Sequence, residues 1–113
     1  MKTTPTQRTL KLCRDVGWTC QVVERWNSFA KVRVDLFGFI DVVAMNGASI
    51  IGIQATSGSN VAARITKIKE NPKSAEWLKS GGRLFVQGWR KLKKSGKWKC
   101  REVEITSDLL SAQ

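Results

Sequence analysis

The chain contains no histidine. That absence removes Ser-His-Asp triads, Cys-His dyads, imidazole acid–base chemistry and every His-ligated metal site. Hydrolysis by such a chain has to rest on carboxylates, amides, lysines and a bound metal. Cysteine is sparse too. Cys13, Cys20 and Cys100 are odd in number and widely spaced, with no CxxC pair, so neither a zinc set nor a disulfide framework follows. They read as three reduced thiols of a cytosolic protein. No window approaches the roughly 18 apolar residues of a membrane span. The opening MKTTPTQRTLKL lacks the apolar stretch of about 7–15 residues that marks a secretory signal. Internal repeats and low-complexity linkers are missing as well, so the expectation is one cytoplasmic domain over 1–106 with a polar tail at 107–113.

Acid is the scarce charge. Nine Asp+Glu stand against twenty Lys+Arg, a net +11 over 113 residues that are 42% hydrophobic. The apolar content suffices for one folded core. The positive excess points to a polyanion, either nucleic acid or an anionic membrane surface. The membrane fits less well, because the cations concentrate in strand-like sequence and not on one amphipathic helix.

Along the chain, Leu10, Cys13 and Val16 recur at three-residue steps between Pro5 and Gly17, which predicts a helix over Thr6–Val16. Trp18–Trp26 reads as a strand, and Lys31–Met45 as a long strand bent at Gly38. Asn46-Gly47 is a two-residue hairpin signal, with Ala48–Thr56 as the returning strand. Val61, Ile65 and Ile68 mark a helix to about Glu70. Pro72 opens a second through Leu78, closed by Gly81-Gly82. Arg83–Arg90 and Trp98–Ile105 read as two further strands around Ser95-Gly96. The fold class expected is α/β, a mixed sheet flanked by helices with a basic C-terminal β-hairpin.

Asp35 and Asp41 sit in the otherwise apolar VRVDLFGFIDVV, and Glu24 lies in the strand before it. Strand alternation predicts that Asp35, Phe37, Phe39 and Asp41 share a face. Closing the hairpin at Asn46-Gly47 sets Asp41 opposite Gly52 and Phe39 opposite Gln54. Asp41, Gln54 and Thr56 then share a face, with Asp41 and Gln54 as diagonal neighbours about 7–8 Å apart. Gly52 would leave space for an ion. A carboxylate and an amide oxygen converging there are hard ligands suited to Mg²⁺, with Mn²⁺ as a substitute. The plainer alternative is an edge-of-sheet acid paired to one of the many cations, beside an ordinary polar Gln54.

GFIDVVAMNGASIIGIQAT resembles the D-x(n)-(D/E)-x-K hairpin of the PD-(D/E)XK nuclease superfamily, in its small Holliday-junction-resolvase-like and phage or prophage-encoded members. The order helix–strand–strand–strand–helix–strand is similar over about residues 6 to 106. The resemblance implies a restriction-endonuclease-like αβββαβ sandwich and a metal-dependent endonuclease cutting branched or structured DNA. It implies a homodimer as well, in a bacterial or phage-infected cell. Asp41 matches the motif Asp, and Gln54 falls where the second acid belongs. Thr56 stands where the Lys belongs, which is a departure. The first helix carries Gln7 and Arg8 where an acid is expected, leaving Glu24 or Asp35 to serve. The resemblance thus assigns metal ligation to Asp41, Gln54 and Glu24 and catalysis to these with Asp35. Lys67, with Arg64 beside it, is the candidate replacement for the motif Lys; a solvated helix face is the alternative for both.

Between Arg83 and Arg101 lie eight cations and no acid: Arg83, Arg90, Lys91, Lys93, Lys94, Lys97, Lys99 and Arg101. Closure at Ser95-Gly96 pairs Lys93 with Trp98 and Arg90 with Arg101. Like charges set opposite one another destabilise a sheet unless a polyanion covers them. Trp98 is a candidate for stacking on unpaired bases. Trp89 either stacks likewise or, as the more common fate of a tryptophan, packs in the core; Trp18, Trp26 and Trp77 are assigned to the core. Thr56-Ser57-Gly58-Ser59-Asn60 leads into a helix N-terminus, where Ser57 and Ser59 either cap the helix or hold a phosphate. Two other functions compete with the nuclease. One is a non-catalytic nucleic-acid-binding protein on a degenerate nuclease scaffold, suggested by Gln54 and Thr56. The other is a basic RNA-associated module, which leaves the acid-bearing hairpin unexplained.

Overall fold

A computed structural model describes residues 4–111. Helix α1 (Pro5–Asp15) is followed by strands β1 (Thr19–Val22), β2 (Arg25–Asn27), β3 (Val32–Val34), β4 (Val42–Met45) and β5 (Ile50–Ser57). A 3-10 turn (Gly58–Asn60), α2 (Val61–Lys69) and α3 (Pro72–Lys79) lead to β6 (Arg83–Lys91), β7 (Trp98–Glu104) and α4 (Ser107–Ser111). Five strands form a mixed sheet in the order β1-β4-β5-β6-β7, with only β5 and β6 parallel. Strands β2 and β3 form a separate two-stranded hairpin. The α/β class with a helix-flanked mixed sheet agrees with the sequence. No helix among the described residues is long and apolar enough to cross a membrane.

Strand β5 explains the layering. Ile51 to Thr56 are all buried, as a central strand covered on both faces demands. Ile51 and Ile53 join Cys13, Val42, Ala44 and Phe85 in the core beneath α1. On the opposite face Phe39, Ile40, Val61, Ile68, Leu84, Val86 and Ile105 form the second core. Helix α1 starts at a capping box: Thr4 Oγ1 accepts from the Gln7 N–H, the Gln7 side chain accepts from the Thr4 N–H, and Pro5 follows. A buried chain docks it to the sheet. The Trp89 indole N–H donates to Thr9 Oγ1 at 3.1 Å, and the Thr9 hydroxyl donates to Gln87 Oε1 at 2.8 Å. Gln87 in turn donates to Glu102 at 2.8 Å.

Four expectations are corrected. The Trp18–Trp26 strand is split, because the chain leaves the main sheet after Val22 and re-forms as β2; Trp26 is 59% exposed and not in the core. Lys31–Met45 is not one bent strand. Leu36 and Ile40 bridge each other across a tight turn, with φ of +57° at Phe37 and +90° at Gly38. Asn71 Nδ2 anchors that turn by donating to the Phe37 carbonyl at 2.9 Å. Alternation therefore fails: Phe37 is exposed while Phe39 is fully buried.

Both hairpin registers shift by two residues. Asn46 Oδ1 accepts from the Ala48 and Ser49 N–H groups, each at 2.9 Å, so the side chain builds a four-residue loop and Met45 pairs with Ile50. Gly52 thus faces Val43, and the space where its Cβ would stand is taken by Ile40 and Trp77; it holds core side chains and not an ion. In the second hairpin Lys91 pairs with Trp98, Arg90 with Lys99 and Gly88 with Arg101. The expected polar tail forms α4 through Ser111, with Leu109 and Leu110 packed on the core; residues 112–113 lie outside the described residues.

Candidate metal and nucleic-acid site

A shift of two preserves the face of every strand residue, so Asp41 and Gln54 still meet, and more closely than expected. Gln54 Nε2 donates to Asp41 Oδ2 at 2.6 Å, and the Ala55 backbone N–H donates to the same oxygen at 2.8 Å. Asp35 arrives by the Leu36–Ile40 turn and not along a shared strand. Its Oδ2 lies 3.4 Å from Gln54 Nε2. Glu24, just before β2, completes the group, with ligand oxygens of Glu24, Asp35 and Asp41 all within 4.8 Å of one another. Arg33 lies 3.5 Å from Glu24.

Burial of Asp41, a hydrogen bond to the Asp35 carboxyl and the negative charge of Asp35 push its pKa from 3.8 up to about 8. The Ala55 N–H opposes that rise and Glu24 adds to it. Gln54 is 2% exposed, and its Oε1 is buried without a hydrogen-bond partner. An amide turned to face carboxylates presents its N–H₂; turned over, it presents the oxygen. Three carboxylates and an amide oxygen form a hard-oxygen set that fits a divalent cation such as Mg²⁺. Asp41, Gln54, Glu24 and Asp35 are therefore brought together as a set. Thr56 is buried two residues along β5.

Lys67 is not brought there. It is exposed in the last turn of α2, and no hydrogen bond or ion pair joins it to the acids among the described residues. Arg64 is half-buried one turn earlier. The cations beside the acids are others: Arg25 and Lys73 line a cleft of about 530 Å³ together with Asp35, Phe37 and Asn71. Only the turn at 36–40 brings Lys73 near Asp35, and nothing in local spacing signals it. Arg33 follows the i, i+2 rhythm with Asp35 and could have been read as a neighbour of the acids.

Further along the sheet a second cleft, of about 630 Å³, is lined by Ser57, Gly58, Ser59, Arg90, Lys99 and Arg101, with Gly88 and Trp89. The corrected register creates it, since Arg90 faces Lys99 and Arg101 lies opposite the bare Gly88. Gly88 is required: a Cβ there would stand 2.2 Å from Val61 Cγ2 and 3.1 Å from Gly58 Cα. Neither Ser57 nor Asn60 caps a helix with its side chain; the Ser57 and Ser59 hydroxyls lie 3.3 Å apart. Lys91, Lys93, Lys94 and Lys97 are exposed around the hairpin end. Trp98 is half-buried, and the Arg8 guanidinium lies 3.9 Å from its ring centroid. One π-face is thus occupied. Trp89 is buried, as expected.

The cysteines are free, and burial pushes the Cys13 and Cys100 thiols up to about 11. Those two are not poised as nucleophiles. No protein-family model matches the sequence, and no curated protein matches it.

Proposed function

We propose that this chain is a metal-dependent DNA endonuclease of the PD-(D/E)XK type that cleaves branched or otherwise structured DNA. One observation carries the reading: carboxylate oxygens of Glu24, Asp35 and Asp41 gather within 4.8 Å of one another beside Gln54, in a chain whose strand parity puts the cations Arg90, Lys99 and Arg101 of the serine–arginine cleft on the same face of the sheet as Gln54. A phosphodiester backbone that reaches both places meets cations at one and oxygen ligands at the other. Asp41, Gln54, Glu24 and Asp35 hold the metal. A bound Mg²⁺ or Mn²⁺ supplies water activation and neutralises charge on the scissile phosphate. Arg25 and Lys73, beside Asp35, add positive charge where Thr56 replaces the motif lysine. Arg90, Lys99, Arg101, Ser57 and Ser59 grip the backbone without reading sequence. A homodimer sets two such sites on a symmetric junction.

A non-catalytic nucleic-acid-binding protein is the second reading, favoured by Thr56 and by the isolation of Lys67. Linear, single-stranded and four-way-junction DNA incubated with Mg²⁺, Mn²⁺ or EDTA separates the two, alongside Asp41→Ala. Metal-dependent cleavage lost in the variant is the expected result. Absence of cleavage on every substrate leaves only binding, and cleavage that survives Asp41→Ala overturns the site assignment.

A further inference from the structure

The β2–β3 hairpin stands apart from the main sheet, yet it is rooted at the acids. Glu24 immediately precedes β2, and Asp35 immediately follows β3. Its surface is unusual. Among the described residues seven large apolar side chains are well exposed, and three of them, Trp26, Phe29 and Val32, fall in this one hairpin. Phe29 at the tip is 98% exposed. Leaving a phenylalanine in water forgoes the favourable burial of its ring, so a tip that displays one calls for an occupant.

The tip is also built to hold its shape. Asn27 Oδ1 accepts from the Phe29 and Ala30 N–H groups, both at 3.0 Å. Lys31 takes a left-handed φ of +54°, which closes the turn. The backbone that carries Phe29 is therefore held in a defined turn.

Cations surround the aromatics. Arg25, Lys31 and Arg33 are all exposed; of the two acids at the hairpin's base, Glu24 is 3.5 Å from Arg33 and Asp35 shares a cleft with Arg25. Trp26 pairs with Arg33 across the hairpin, so ring and guanidinium share a face. Trp26 follows Glu24 by two residues, about 6–7 Å along an extended chain. An apolar partner would leave three cations unused, and a plain duplex would leave the rings unused. An unpaired nucleotide uses both, because it offers a π-face and a phosphate together.

We propose that the β2–β3 hairpin is a base-capturing arm. Phe29 and Trp26 stack on unpaired bases, and Arg25, Lys31 and Arg33 hold the flanking phosphates. The site's substrate is then nucleic acid with an exposed base beside the point of attack. This rests on the nucleic-acid part of the proposed function and not on cleavage. Trp98, whose ring is already covered by Arg8, is not the principal stacking residue.

The test measures binding in EDTA, so that catalysis plays no part. The probes are a short duplex, the same duplex with a gap of unpaired thymines, and a four-way junction carrying 2-aminopurine at its branch point. The full chain is compared with Phe29→Ala, with Trp26→Ala and with a Phe29→Trp control. The expected result is that the wild type favours gapped and junction DNA over duplex. That preference falls about tenfold in each alanine variant and returns in Phe29→Trp, since a stacked base is worth about 1–3 kcal/mol. The 2-aminopurine emission changes on wild-type binding and not on binding of the alanine variants.

Equal binding of all three probes by the wild type overturns the proposal, and so does a preference untouched by both alanines. Light scattering supplies a further arm: a wild-type dimer that becomes monomeric in Phe29→Ala, with junction preference intact, assigns the hairpin to self-association and overturns it as well. Parallel reactions in Mg²⁺ keep the two readings separate. A gap preference that depends on Phe29 in a protein that never cleaves retains the arm and removes the nuclease. Cleavage without that preference does the reverse.

Discussion

The two ends of one sheet face differ in how far they are finished. At the acid end, Asp41 and Gln54 are buried, Asp41 is fixed by two donors at 2.6 and 2.8 Å, and three carboxylates crowd together. At the basic end, Arg90, Lys99 and Arg101 are exposed around an open cleft. Placement at the first is set by the core; at the second, charge is spread over side chains free to move. Chemistry that needs fixed ligands and a backbone that needs only countercharge call for this division.

The largest break in that comparison is Asp41→Asn. Removing one charge from the ligand set is expected to lower cleavage by orders of magnitude while junction affinity in EDTA stays within a few-fold; parallel cleavage and binding assays check both. Next comes the opposite end. Neutralising Arg90, Lys99 and Arg101 together is expected to weaken binding and flatten the plot of log affinity against log salt by about 3, at roughly 0.9 per phosphate contact. A salt titration reads it, and an unchanged slope removes the cleft as the backbone grip.

The third prediction concerns protons. Asp41 binds its proton more tightly folded than unfolded, so the metal-free fold loses stability as pH rises from about 4 to about 8. Its contribution is fully present below the unfolded value and gone above the folded one. Thermal melts in EDTA across that window are expected to fall by the equivalent of several kcal/mol at most, and Asp41→Asn flattens the trend. The smallest effects are structural. Thr9→Val removes the hydroxyl linking Trp89 to Gln87 and is expected to cost about 1–3 kcal/mol. Gly88→Ala pushes Val61 and the turn at Gly58 for a similar loss, and it weakens DNA binding as well, whereas Thr9→Val leaves binding alone.

Much of this was legible in the sequence because it is local. Pro5 and Gly17 frame α1, Pro72 and Gly81 frame α3, and strand parity put Asp41 and Gln54 on one face even with the register displaced by two. What escaped was non-local. The Asn46 side chain lengthened a loop that Asn-Gly alone predicts as two residues. The segment Leu36-Phe37-Gly38-Phe39-Ile40 carries strand-like composition, yet it folds as a turn because Phe39 and Ile40 are drawn into the core and Asn71, distant in sequence, holds the carbonyl of Phe37. Asp35 reached the site by that route. The exposure of Phe29 escaped because it falls between the two expected strands, where Asn27-Ser28-Phe29-Ala30 reads as a connection and nothing local tells a displayed ring from a buried one.

The turn at 36–40 has a consequence for how the molecule opens. Phe39 and Ile40 are fully buried between the two aspartates, so the turn that carries Asp35 toward Asp41 is tied to the core. Asp41 and Gln54 belong to the buried sheet, and amide exchange there is expected to report global unfolding. The β2–β3 hairpin, outside the main sheet, opens in smaller local fluctuations at lower free energy. A chain that opens at the hairpin therefore loosens Glu24 and Asp35 while Asp41 and Gln54 stay together, and the acid set is complete only when the hairpin is closed on the sheet.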